Sequence, residues 1–262
     1  MMSNRNTSVA GTFYPAQASE INRYIDTFNQ AIEGKREKVR ARAIISPHAG
    51  YVYSGFSANA AFSQIDTSNI KRVIIIGPSH RVYLEGASVA LYENYESPCA
   101  DLKIDMQYSK GFIEKYEDLH FIPEAHREHS TETQVPFIEH YFNDVSLVEI
   151  VYGGIDYRSL VPVIEEALGE EENLVVISTD LSHFYTLDQA NKLDSICLDA
   201  VKKMDINALD MGCEACGMIG VKAVLQASKS KGLKTRLIDY RTSYDASSDS
   251  SSVVGYMSVL IL

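Results

Sequence analysis

The run Val73-Ile74-Ile75-Ile76 contains no polar position. A strand with one face in water alternates apolar and polar residues, because successive side chains point to opposite faces. A strand without that alternation is covered on both faces, as in the parallel sheets of α/β proteins. Similar runs occur at residues 42–46 (RAIIS), 145–153 (VSLVEIVYG) and 173–178 (NLVVIS). Between them lie stretches of helical periodicity. Residues 16–34 place Ile21, Tyr24, Ile25, Phe28 and Ile32 on one stripe, with Pro15 before it and Gly34 as a C-terminal stop. Helices are also predicted over 56–62, 157–168, 187–204 and about 216–228. Residues 105–116 predict a helix interrupted at Gly111. Thr131 and Gln134 have capping-box spacing, and Pro136 moves the start of the next helix to near Val135. A shorter strand is predicted at 87–92, and two closing strands at 235–240 and 252–262 pair antiparallel. The pattern predicts an α/β fold with a largely parallel central sheet flanked by helices, in one domain spanning residues 1–262. The first residues, MMSNRN, are expected to be disordered.

The apolar runs end on side chains able to do chemistry. Gly77-Pro78 stops one run and delivers His80; Pro47 stops another and delivers His48; Ser178-Thr179 leads to Asp180 and His183. Proline cannot donate into a central ladder, so it marks a strand exit. In open α/β sheets, ligands bind just outside the carboxyl ends of the strands. Two imidazoles and a carboxylate with open positions form a known non-haem Fe(II) site, and Zn(II) accepts the same donors. His48, His80 and Asp180 are therefore the candidate metal ligands, with His183 as a base or fourth ligand. Each has a plainer reading as well: a loop histidine bonded to backbone, or, for Asp180, a helix cap. Glu128 and His129 read from their neighbours alone as the polar lead-in to a helix. His120, His126 and His140 read as surface residues. Tyr51 and Tyr53 fit either a pocket wall beside His48 or packing on the adjoining helix.

The formal charge is −11, from 24 basic and 35 acidic residues. With no basic block, the chain has no electrostatic reason to bind nucleic acid or anionic lipid. No window approaches the about 18 apolar residues of a membrane helix. Four cysteines, at 99, 197, 213 and 216, are too scattered for a disulfide framework and predict a reducing, cytoplasmic setting. Cys213 and Cys216 form a Cys-x-x-Cys with no second pair for zinc, and Gly212, Gly217 and Gly220 point to close backbone packing around buried structural thiols. The chain carries neither the glycine-rich phosphate loops nor a Gly-x-Ser-x-Gly elbow.

Several segments taken together carry a resemblance: AGTFYP (10–15), SPHAGYVYSG (46–55), GPSH (77–80), EHSTETQVPF (128–137), STDLSH (178–183) and DSSSVVGY (249–256). In order and over most of the chain, they resemble the Memo-like family, also called component B of the AmmeMemoRadiSam system. The resemblance implies a fold shared with the class III extradiol (LigB-type) dioxygenases, which use a mononuclear Fe(II). It further implies that His48 and His80 are metal-binding, with Glu128, His129, Asp180 and His183 lining the same cleft, so that His183, His129 and Glu128 become candidate catalytic residues. The chain departs from the family pattern in the loop before the last strand, SYDASSDSSS (243–252). That loop holds neither the cysteine of some relatives nor the dioxygenases' glutamate. Asp245 and Asp249 then compete with Asp180 as third ligand.

Two functions follow. One is a non-haem-iron, dioxygenase-like oxidoreductase acting on a small molecule, with Fe(II) or Zn(II) bound. The other is a non-catalytic module with a vestigial metal site that binds a peptide or phosphopeptide, as animal relatives are associated with doing. The system name also implies a radical-SAM partner protein.

Overall fold

The structure, a computed structural model, describes residues 2–32, 34 and 37–262. Met1, Glu33, Lys35 and Arg36 lie outside the described residues. The strands are β1 (Met2–Arg5), β2 (Ala43–Ser46), β3 (Arg72–Pro78), β4 (Ala87–Val89), β5 (Tyr92–Tyr95), β6 (Leu102–Lys103), β7 (Leu119–His120), β8 (Ser146–Tyr152), β9 (Asn173–Ser178), β10 (His183–Tyr185), β11 (Thr235–Thr242) and β12 (Val253–Ile261). The helices are α1 (Ala18–Ala31), α2 (Tyr51–Phe62), α3 (Met106–Lys115), α4 (His129–Glu132), α5 (Val135–Tyr141), α6 (Tyr157–Ala167), α7 (Leu187–Lys203), α8 (Ile206–Leu209), α9 (Met218–Ser230) and α10 (Tyr244–Ser247).

The apolar runs form the centre of a nine-stranded sheet in the order β10-β12-β2-β9-β3-β8-β4-β7, with β11 also paired to β12. β2, β9, β3 and β8 are parallel neighbours. β12 and β4 join this block antiparallel, so the sheet is mixed around a parallel core. Side-chain alternation divides the core into two layers. Ile45, Ile74, Ile76, Val148, Ile150, Val175 and Ile177 face α6, α7 and α9. Their chain neighbours Ile44, Val73, Ile75, Leu147, Leu174 and Val176 face α1, α2 and α5. Both faces are covered, which is why these strands contain no polar alternation.

Several sequence expectations need correction. Met1 lies outside the described residues, but the residues that follow it are ordered: β1 pairs in parallel with β5, and Arg5 at its end is buried. The expected strand over 87–92 divides into β4, in the large sheet, and β5, in a three-stranded sheet with β1 and β6. α2 starts at Tyr51, not Phe56, and Tyr51 is buried with its ring stacked 4.7 Å from that of Phe137. Gly111 does not interrupt α3, whose start is capped by Asp105 accepting the Tyr108 N–H. Thr131 and Gln134 make no capping box; Glu128 caps α4 instead, accepting the Ser130 N–H.

The cysteine expectation also needs correction. Cys213 does not stand as a free thiol beside Cys216. It is bonded to Cys197, a residue 16 positions earlier on α7. Cys213, in the turn after α8, faces the long helix rather than its near neighbour. Among the described residues, no helix is long and apolar enough to cross a membrane.

Candidate metal centre

The register of the central strands brings the candidate loops together. Ile45 and Ser46 of β2 lie beside Ile177 and Ser178 of β9, and Ile76 of β3 lies on the other side of Ile177. Three parallel exits therefore open at one edge of the sheet. His48 leaves the first, Asp180 the second and His80 the third.

A fourth segment, from Glu128 through α4, closes over this edge. Ser130 Oγ donates to Pro78 O at 2.7 Å. A Cβ on Gly77 would lie 2.6 Å from Ser130 Oγ and 3.1 Å from Thr131 Cγ2, so the glycine is what allows α4 to sit on the strand. This closure brings His129 to His48 and His80. The ring centroids are 5.2 Å apart for His48–His80, 5.4 Å for His48–His129 and 4.6 Å for His80–His129. One ring nitrogen from each of the three histidines lies within 4.8 Å of the others.

The hydrogen bonds fix which nitrogen is available. Glu128 Oε1 lies 3.1 Å from His80 Nδ1 and 2.9 Å from His129 Nδ1. Its carboxylate also accepts the His80 N–H at 2.7 Å and the Ser130 N–H at 3.1 Å. Burial alone would raise the Glu128 pKa, but these donors from His129, His80 and Ser130 reverse the effect and hold it far below the usual carboxylate range. An anionic Glu128 can only accept, so both imidazoles present Nδ1–H to it. His48 reaches the same tautomer by another route. Its Nδ1 lies 2.8 Å from Ser178 Oγ, whose one hydroxyl proton goes to the Ser130 carbonyl, while Gln134 Nε2 donates to the same oxygen. Ser178 must therefore accept from His48. In all three rings the lone pair falls on Nε2, the arrangement by which a protein orients metal-binding imidazoles.

His48 is buried, with side-chain exposure of 2 %, against 31 % for His80 and 16 % for His129. Burial lowers the His48 pKa to about 4, against the opposing pull of Asp180. The ring is thus neutral and able to bind a cation at neutral pH. A depressed folded pKa means that protons bind the unfolded chain first, so stability is complete above about pH 6.5 and is lost as pH falls toward 4. Urea unfolding of the metal-free protein at pH 7, 5.5 and 4.5 is expected to give falling midpoints, and a His48→Gln variant a flatter dependence.

The other predicted residues sit around this trio. Asp180 Oδ1 accepts the His48 N–H at 2.8 Å, and Oδ2 lies 3.8 Å from His48 Nε2. It borders the cluster and fixes the loop carrying His48. His183 begins β10, half-buried, with its ring 5.7 Å from that of Phe184. Asp245 accepts the Thr242 N–H, and Asp249 accepts the N–H and hydroxyl of Ser251, so both serve local turns of an exposed loop. His126 is not a surface residue as expected. It is buried, with Nδ1 2.8 Å from Glu149 Oε2 and Nε2 2.8 Å from Ser88 Oγ.

Cys216 is the residue that sequence reasoning assigned elsewhere. Its Sγ lies 3.4 Å from His48 Nε2 and accepts the Asp180 N–H at 3.3 Å. Burial and the neighbouring Asp180 push its thiol pKa up to about 12. Gly217 brings this loop against the exit of β9: a Cβ there would lie 2.7 Å from Ser178 O. The glycines flanking the motif, rather than the two-cysteine spacing, were the usable signal. The chemistry of the donors fits a divalent ion: three anchored imidazoles, and a soft sulfur that a nearby cation would deprotonate.

These features define an α/β protein with a three-histidine centre at the exits of its parallel strands. The chain belongs to the Memo-like protein family, which it matches over residues 5–260. It is 31% identical over 269 residues to a MEMO1 family protein of Aquifex aeolicus, covering 98% of this chain and 99% of the relative. It is 33% identical over 270 residues to one of Archaeoglobus fulgidus, with 98% of each chain covered.

Proposed function

We propose that the chain binds one divalent transition-metal ion through Nε2 of His48, His80 and His129, with Cys216 as the adjacent sulfur ligand, and that this centre acts on a small molecule. The observation that carries the reading is the common tautomer: three rings, each with Nδ1 committed to an acceptor and Nε2 left over. Asp180 then positions His48 and is not required as a ligand. Imidazole donors suit both Fe(II) and Zn(II), and the partial exposure of His80 and His129 leaves a side open to substrate.

When bound, such an ion supplies a Lewis acid and a template for substrate oxygens. The chain's own residues supply the rest. Glu128 holds two rings in one tautomer and offsets part of the added positive charge. Phe13, with its ring 4.7 Å from that of His129, covers the cluster on the side of the amino-terminal segment. His183, if it moves within hydrogen-bond reach of a bound substrate, is the available proton acceptor outside the trio.

Cobalt(II) substitution tests the ligand set. The parent protein is expected to show an intense near-ultraviolet sulfur-to-cobalt band that Cys216→Ser removes while cobalt still binds. A spectrum unchanged by Cys216→Ser would remove the sulfur from the set; loss of no cobalt in His80→Ala would remove the site.

A further inference from the structure

A cavity of about 800 Å³ opens beside the metal centre, between the amino-terminal segment and the 3-10 turn Pro123–His126. Its size falls in the range of small-molecule sites. It is a separate space: Asn6, Thr7, Ser8, Arg81, Tyr92 and Arg127 are among its lining residues, and the three histidines are not. Yet it shares two short segments with the centre, since Arg81 follows His80 and Arg127 precedes Glu128.

The charge of this wall is opposite to that of the molecule. The chain carries −11 overall, but the cavity gathers Arg5, Arg81 and Arg127 against Glu124. Arg5 is already neutralised by the buried Glu132 and by Glu149. Arg81 and Arg127 are exposed, and neither makes a side-chain hydrogen bond or ion pair among the described residues. The hydroxyls of Thr7 and Ser8 and the Asn6 carboxamide on the same wall likewise have no side-chain bond to protein. Tyr92, Val82 and Pro123 supply an apolar side. His126 also lines the cavity, but both its ring nitrogens are engaged by Glu149 and Ser88.

We infer that this cavity is a second binding site, for a small organic oxyanion (a phosphate monoester or a carboxylate), gripped by the guanidinium groups of Arg81 and Arg127 and seated against Tyr92. Two guanidinium forks match the paired oxygens of either group, and charge-assisted bonds of this kind are the strong ones. The hydroxyls of Thr7 and Ser8 can donate to the remaining oxygens. The site does not depend on the metal.

The test uses full-length protein stripped of metal by a chelator, titrated calorimetrically at low ionic strength with inorganic phosphate, phenyl phosphate and benzoate in turn. Saturable one-to-one binding is expected, tighter for the aromatic compound of the preferred head group than for inorganic phosphate. An Arg81→Ala/Arg127→Ala double variant is expected to weaken it about tenfold or more, while His80→Ala leaves it within about twofold. Both arginines are exposed, and an unchanged circular dichroism spectrum checks that the variant is folded. Preference for phenyl phosphate or for benzoate identifies the head group. Absence of saturable binding, or binding that survives the double arginine variant, overturns the inference. Loss of metal binding in His80→Ala bears only on the metal centre, so the two readings fail separately.

Discussion

Glu128→Gln is expected to weaken binding of a divalent ion about 10–100-fold, the usual cost of removing the partner that orients a metal-ligating histidine. The carboxylate receives two imidazole Nδ1–H groups and two backbone N–H groups. Both imidazoles bond Oε1, whereas Oε2 takes the His80 N–H. An amide that keeps its oxygen on the imidazoles turns its NH₂ against the His80 N–H, donor against donor, and displaces the loop that carries His80. An amide turned the other way donates to both rings and puts their protons on Nε2, where a lone pair is needed. The change also removes a negative charge adjacent to the incoming cation. Competition titration against a chelator of known affinity measures the loss. An affinity within about twofold of the parent would mean that Glu128 serves only the loop.

The second large effect lies beneath the site. Glu132→Ala is expected to cost about 3–5 kcal/mol of folding stability, the range for breaking a buried ion pair from one side. Glu132 is fully buried and pairs with the buried Arg5. It also accepts the N–H groups of Ser8 and Val9 and the Tyr14 hydroxyl. Arg5 in turn donates to Glu128 O at 2.9 Å, and Thr131 donates to Glu149, so this network holds the segment that presents Glu128 and His129. Replacing a simple buried pair by apolar residues is often neutral. Here an Arg5→Met/Glu132→Leu variant is not expected to recover the loss, because the Ser8 and Val9 N–H groups stay buried without an acceptor. Urea unfolding at constant pH decides: a Glu132→Ala loss under 1 kcal/mol would mean that water replaces the carboxylate.

The contrast between these two glutamates shows what the sequence could and could not reveal. The strand exits were legible because they rest on local facts. Val73 to Ile76 has no polar position, Gly77-Pro78 stops it, and a parallel sheet puts such exits on one edge. That reasoning reached His48, His80 and Asp180 without knowledge of strand order. Glu128 and His129 needed the resemblance, since their place depends on α4 crossing over β3, where Ser130 meets Pro78 across 52 positions of the chain. Arg5 and Glu132 are separated by 127 positions, and a polar amino terminus gives no local sign that its arginine is buried. Glu149 did give one: a lone carboxylate in the middle of the apolar run 145–153 requires a buried partner, and His126 and Arg5 are those partners. Cys216 was hidden by the nearer pattern. It was read, with Cys213, as a buried structural thiol, whereas the disulfide joins Cys213 to α7 and leaves Cys216 facing His48.

Metal stoichiometry tests the central claim most directly: elemental analysis of anaerobically prepared protein after Fe(II) or Zn(II) loading and gel filtration, parent against the His48→Ala/His80→Ala variant. One equivalent of metal in the parent and less than about a tenth in the folded variant is the expected result. Equal metal in both, or none in a parent that is folded and freshly reduced, would contradict a metal centre at these strand ends.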